Sequence, residues 1–138
     1  MISKYKQEDI KEINVLGKEV NPNFERLFKV ASLPANEQIY VCKNNDELLG
    51  FLHVLMNIEQ IEILNLVVSE KHRKKGIASL LIDYLLSEPN LDYQRIILEV
   101  SASNIAAINL YHKFNFHCIN QRKKYYGNDD ALVMERRK

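Results

Sequence analysis

Tryptophan is absent from the 138 residues, and cysteine, proline and glycine are scarce at two, three and four copies. The cysteines, Cys42 and Cys118, lie far apart with no CxxC spacing, so they supply neither a disulfide framework nor a zinc motif. They read as small apolar side chains in a reducing compartment. Glycines and prolines are scattered singly, which leaves no low-complexity linker and no internal repeat. An excess of either charge is also missing. With 19 Lys and Arg against 18 Asp and Glu, a formal +1, nucleic-acid or membrane binding would need a local patch. Apolar stretches such as 63–68 and 78–82 stop far short of the ~18 residues of a bilayer span. Residues 1–10 carry Lys4, Lys6, Glu8 and Asp9 and no apolar segment of the signal-peptide kind. What is present is ordinary for a folded chain: 46% hydrophobic and 27% charged residues. The length suits one domain of about 100–200 residues. The expectation is a single soluble, cytoplasmic domain over 1–138.

Hydrophobic periodicity orders the elements. A short strand at 2–5 precedes a helix over 9–16 with Ile10, Ile13 and Leu16 on one face. Asn21 and Pro22 read as cap and first position of a second helix, in which Phe24, Leu27, Phe28 and Ala31 recur at helical spacing before Pro34. Strands follow at 38–43 and 48–56, joined by a turn at Asn44, Asn45 and Asp46. The next strand, 61–68, is apolar on both faces apart from Glu62 and Asn65, which predicts a central place in the sheet. Beyond it come a helix with Ile77, Leu80, Leu81, Tyr84 and Leu85, a strand at 95–100, and a helix with Ala107, Leu110, Tyr111 and Phe114. Segments 116–122 and 131–136 read as a closing hairpin around 128–130. One right-handed βαβ crossover makes its two strands parallel. The fold class is mixed α/β: about seven strands and about four helices.

Between the central strand and its helix runs a basic loop, with Lys71, Arg73, Lys74 and Lys75 leading to Gly76. Free amides and the dipole at a helix N-terminus favour an anion there, and glycine lets a ligand approach the backbone. A solvated basic loop is the plain alternative. Arg73 to Ala78 fits a pattern of Gln or Arg, two free residues, Gly, one free, then Gly or Ala, which arises by chance in roughly one chain in ten of this length. The Walker A loop is excluded because Ile77, Ala78 and Ser79 follow Gly76 where Lys-Ser/Thr is needed. The three-glycine dinucleotide fingerprint is excluded by a single glycine.

A second cluster closes the parallel strand. Alternation places Leu98 and Val100 on one face and Ile97 and Glu99 on the other. Glu99 is a surface glutamate or, if desolvated, a general base at the strand end where α/β folds hold ligands. Asn104 is a helix cap or a ligand contact. Tyr111 is a core tyrosine or an acid.

Together these stretches resemble the GNAT acyltransferase superfamily and, within it, the RimI-type N-terminal protein acetyltransferases. The likeness rests on Asn65 to Val68, the Arg73 to Ala78 loop, Leu98-Glu99-Val100 with Ser103-Asn104, Ala107 to Phe116, and Tyr125-Tyr126 before Asp130, Ala131 and Met134. The loop motif belongs to the whole superfamily, and the remainder is narrower. The resemblance implies a GNAT fold with its parallel crossover at an acyl-CoA site. It implies that the main chain of Leu66, Val67 and Val68 pairs with pantetheine. Arg73, Lys74, Lys75, Gly76, Ile77, Ala78 and Ser79 would hold the pyrophosphate, and Asn104 would contact coenzyme A. Glu99 would take the amine proton, Tyr111 would protonate the departing thiolate, and Tyr125 and Tyr126 would line a peptide groove. No metal is implied.

The implied reaction moves acetyl from acetyl-CoA to a protein N-terminal α-amine, with the N-terminal alanine of a small-subunit ribosomal protein as the expected partner. An α-amine near pKa 7.8 is roughly a quarter neutral at pH 7.4, against about one part in a thousand for a lysine near 10.4, so a modest base suffices. The alternatives are a small amine or a lysine side chain on the same scaffold, a non-catalytic acyl-CoA sensor, and a nucleic-acid contact through residues 71–75. The protein is expected to be a monomer or weak dimer. Ala78 replaces a commoner glycine, Asn115 stands where glycine often follows the helix, and Pro22-Asn23-Phe24 lacks the tryptophan frequent in RimI-type chains. That last departure bears on the acceptor more than on the reaction.

Overall fold

A computed structural model describes residues 1–127 and 129–138, with the side chains of Tyr125 and Tyr126 also outside the description. The strands are β1 (Ile2–Lys4), β2 (Glu37–Asn44), β3 (Glu47–Asn57), β4 (Gln60–Val68), β5 (Arg95–Ser101), β6 (His117–Tyr126) and β7 (Asp129–Arg137). The α-helices are α1 (Ile10–Val20), α2 (Phe24–Phe28), α3 (Ile77–Leu86) and α4 (Ile105–Lys113). Hydrogen bonding orders the strands β1-β2-β3-β4-β5-β7-β6, a mixed sheet with β4 fourth of seven. The chain divides into two compact units, Met1–Leu55 with Asn65–Asn90 and Met56–Leu64 with Leu91–Lys138, so β4 contributes to both.

In the first unit, β1 and β3 flank β2 in antiparallel register, with Ser3 opposite Val41 and Val41 opposite Phe51. Alternation sends Ile39, Val41 and Phe51 to one face, where Ile13, Leu16, Phe24 and Val30 complete a buried cluster. Tyr40 points to the opposite face and meets the Tyr84 ring of α3 at 5.4 Å.

Two helix boundaries of the first unit depart from the periodic reading. Helix α1 runs on to Val20, so Asn21 closes α1 instead of opening α2, and its Oδ1 accepts from the Asn23 amide at 3.0 Å. Helix α2 stops at Phe28 because Lys29 turns left-handed at φ 43°, and a 3-10 turn, Val30–Ser32, takes Ala31 out of the helix. Leu27 is accordingly half exposed.

In the second unit, the pairs Gln60↔Arg95 to Ile63↔Leu98 make β4 and β5 parallel, and β7 runs antiparallel to both β5 and β6. Buried Ile96, Leu98 and Val100 share one face of β5. Asn115 ends α4 at φ 66°, the left-handed turn that asparagine tolerates. Gly127 is a turn residue at φ 66°, and Asp129 and Asp130 belong to β7 and not to the turn expected around 128–130, of which Asn128 lies outside the described residues. Of the two free cysteines, Cys42 is buried in β2, whereas Cys118 is exposed on β6, a strand with only β7 as neighbour in the hydrogen-bonded order. Among the described residues no helix is long and apolar enough to cross a membrane.

Candidate active site

The first unit carries the predicted anion loop. At the end of β4, Val67 is buried while Leu66 and Val68 are half-buried. Close approach of β3 holds this end: the Ser69 amide donates to Leu49 O at 2.8 Å, and a Cβ on Gly50 would lie 2.8 Å from Val67 O. A 3-10 turn, Glu70–His72, then delivers Arg73, whose Nε donates to Val68 O at 3.4 Å. Lys74 is left-handed at φ 64° and Gly76 at φ 79°, so consecutive turns in the loop lead its backbone into α3.

Gly76 is the N-cap of α3, and no side chain caps that end. The first helical bond is donated by Leu80 to Gly76 O, which leaves the amides of Ile77, Ala78 and Ser79 without an intrahelical acceptor. Nothing lies within 4 Å of the place a Cβ would occupy on Gly76. Arg73, Lys74 and Lys75 are exposed around it. Three free amides, a helix dipole and three cations beside open ground suit a phosphate group. A surface cavity of about 380 Å³ in the same unit, lined by Lys11, Glu12, Val15, Leu16, Glu47 and Leu48, contains none of the predicted site residues.

The second unit carries the predicted acid–base residues. Glu99 lies on the half-buried face of β5, and its Oε1 pairs with Arg122 at 3.2 Å. On β4, Glu62 sits opposite Ile97 in the parallel register, one side-chain repeat from Glu99 on the same face. Strand spacing near 4.8 Å and a rise of 3.3 Å per residue put the two Cα atoms about 8 Å apart. Burial, together with the Glu99 charge, pushes the Glu62 carboxyl above its ordinary value, and Arg122 only partly offsets this. Glu62 was not among the residues expected to act. Its signal in the sequence was a lone carboxylate in an otherwise apolar central strand.

Tyr111, on α4, is buried against Phe116 at 5.6 Å between ring centroids, and burial pushes its hydroxyl up to about 12. Asn104 caps α4, its Oδ1 accepting from the Ala107 amide at 3.2 Å, so the cap role is occupied. Ser101 and Ser103 both donate to Asp129, Ser103 at 2.6 Å, which ties the end of β5 to the start of β7. Tyr125 and Tyr126 fall within β6, with Tyr126 opposite Asp129 in register, and their side chains lie outside the described residues. Among the described residues no cluster of His, Cys, Asp or Glu has metal-binding geometry.

A family model for "Acetyltransferase (GNAT) family" matches residues 7–116. Over 77 residues the chain is 39% identical to an N-alpha-acetyltransferase of Saccharolobus solfataricus, covering 54% of this chain and 46% of that protein. Over 97 residues it is 29% identical to a ribosomal protein bS18-alanine N-acetyltransferase of Salmonella typhimurium, covering 65% and 64%. The chain thus matches about half the length of the first relative and under two thirds of the second. It shares its fold with the ribosomal-protein-S18-alanine N-acetyltransferase of Escherichia coli, at TM-score 0.89 and 22% identity over 98% of this chain and 91% of that one. The chain belongs to the acetyltransferase (GNAT) family.

Proposed function

We propose that the protein transfers an acetyl group from acetyl-CoA to the N-terminal α-amine of a protein, with the N-terminal alanine of a small-subunit ribosomal protein as the leading acceptor. The observation that carries this reading is the uncapped N-terminus of α3, with Gly76 left-handed in open ground, at the loop whose motif the family uses for acyl-CoA. Arg73, Lys74 and Lys75 would neutralise the pyrophosphate, and the main chain of Leu66, Val67 and Val68 would run beside pantetheine. The names of the relatives favour an α-amine acceptor.

The proton path follows from the carboxylate pair. Glu99 pairs with Arg122, and burial makes Glu62 hold a proton more readily than an ordinary carboxylate. The amine proton therefore has two takers, and Glu62 shares the base role expected of Glu99. The amine lone pair attacks the thioester carbon, a C–N bond forms, and the C–S bond breaks. Tyr111 stays protonated throughout the working range. Its hydroxyl is weaker than a thiol of pKa about 8.5, so it serves the departing sulfur first as a hydrogen-bond donor. Asn104, already a cap, would contact coenzyme A through its remaining amide group.

Two carboxylates also suit a polyamine, which makes a small-amine acetyltransferase the second reading. The test is mass-spectrometric detection of acetylation on free N-terminal peptides, Ala- and Ser-initiated ribosomal tails first, with spermidine in parallel. Acetylated peptide supports the proposal, and acetylated spermidine without peptide product moves the function to small amines.

A further inference from the structure

His53 on β3 is fully buried and belongs to no step above. A buried imidazole needs partners for both ring nitrogens, since a buried polar group without one forfeits its bonds to water. Here both are supplied from neighbouring strands of the first unit. Nε2 lies 2.7 Å from Glu37 Oε1 on β2, and Nδ1 lies 3.1 Å from Asn65 Nδ2 on β4. The Phe28 ring closes the site edge-on at 5.4 Å. An amide nitrogen only donates, so Nδ1 accepts, and the single imidazole proton sits on Nε2 and is donated to Glu37. Burial lowers the proton affinity of His53 against the opposing pull of Glu37, in keeping with the neutral ring.

The chain of bonds fixes which way the Asn65 carboxamide faces. Nδ2 is turned into the sheet. Asn65 is half-buried, and none of the described residues donates a hydrogen bond to its Oδ1. Asn65 immediately precedes Leu66, the start of the segment assigned to pantetheine.

We propose that Glu37 and His53 are positioning residues that hold the Asn65 Oδ1 outward as a hydrogen-bond acceptor for an N–H of the substrate. The proposal rests on the acetyl-transfer reading. That N–H belongs either to the incoming amine or to a pantetheine amide. Protonating His53 places a proton on Nδ1, which opposes the Asn65 amide and reverses the carboxamide, presenting donors where an acceptor stood. Glu37 is the charged group that acts on His53, and Phe28 on α2 contributes no charge.

The experiment is steady-state kinetics with acetyl-CoA and an alanine-initiated hexapeptide across pH, with acetyl-CoA affinity measured separately by calorimetry. Asn65→Leu removes the acceptor and is expected to lower kcat/KM for the peptide about tenfold, the worth of one hydrogen bond. A raised peptide KM with unchanged acetyl-CoA affinity assigns the N–H to the amine, and weakened acetyl-CoA affinity assigns it to pantetheine. His53→Phe should lose as much. His53→Asn, which keeps an acceptor at the Nδ1 position and cannot titrate, should recover most of the rate and flatten the fall in activity on the acid side. In wild type, the nitrogen-15 resonances of the imidazole should report Nε2–H at neutral pH. Should Asn65→Leu leave both constants within twofold of wild type, or the ring carry its proton on Nδ1, the proposal is overturned. Wild type that acetylates no amine is seen before any variant is compared, and it removes the acetyl-transfer reading together with this one.

Discussion

Glu62 and Asn65 interrupt the apolar run of β4, and both stand in the proposed chemistry. A carboxylate whose folded form favours its proton costs stability at neutral pH. Because the folded value lies above the ordinary value of 4.5, that cost is absent below 4.5, grows as pH rises through the folded value, and persists above it. Glu62→Gln is therefore expected to raise the thermal midpoint at pH 7 slightly while lowering the acetylation rate about a hundredfold, the usual span of one general base. Glu99→Gln should lower the rate less steeply and remove the Arg122–Glu99 ion pair. Both losses should shrink at alkaline pH, where the amine loses its own proton. Rate profiles over pH 6–9 for the two variants check this, and profiles parallel to wild type would make both carboxylates structural. Strand alternation makes the place of Glu99 on the half-buried face of β5 legible in the sequence. Glu62 escaped because its partner stands on another strand, a relation that register fixes and periodicity does not. His53 escaped for the same reason, its partners lying on β2 and β4.

At the scale of elements, helix and strand identities were legible wherever apolar spacing was long and regular. They failed at α2, where Leu27 and Ala31 kept helical spacing although the backbone had turned left-handed at Lys29. A favourable pattern does not hold a helix past such a residue when tertiary packing has already buried Phe24. The loop before α3 is legible in the sequence through its glycine, which is left-handed there at φ 79°. At φ 79° a side chain is strained by about 1–2 kcal/mol, yet a Cβ there would meet no protein atom. Gly76→Val should therefore leave the protein folded with a modestly lower thermal midpoint. Acetyl-CoA affinity should fall at least tenfold, because the branched carbon occupies the ground the pyrophosphate needs. Calorimetry showing wild-type affinity in that variant would take the loop out of the cofactor site. The α4 cap is a second handle. Asn104→Ala is expected to cost about 1 kcal/mol of stability, measured by denaturant unfolding.

For the molecule as a whole, three carboxylates are held below their ordinary range and set its response to acid. Burial would raise Asp9, but the hydrogen bond from Lys43 at 2.8 Å and the bond from the Lys6 amide outweigh it. Hydrogen bonds from Ser101 and Ser103 lower Asp129, and Arg95 lowers Glu135. Each contributes stability above its unfolded value, near 4, and loses it as pH falls through the depressed folded value. The denaturant midpoint should therefore fall below about pH 4, and Asp9→Asn should flatten part of that slope.

The absence of tryptophan gives the buried tyrosines an optical consequence. No indole outshines them, so the near-ultraviolet spectrum belongs largely to phenol rings. Tyr40 and Tyr111, both shielded from water, retain their protons up to about 12. Their share of the tyrosinate absorbance should emerge only in strong alkali. If coenzyme A settles near the Tyr111 hydroxyl, tyrosine emission becomes a label-free gauge of occupancy, dimming as the adenine-bearing ligand is titrated in.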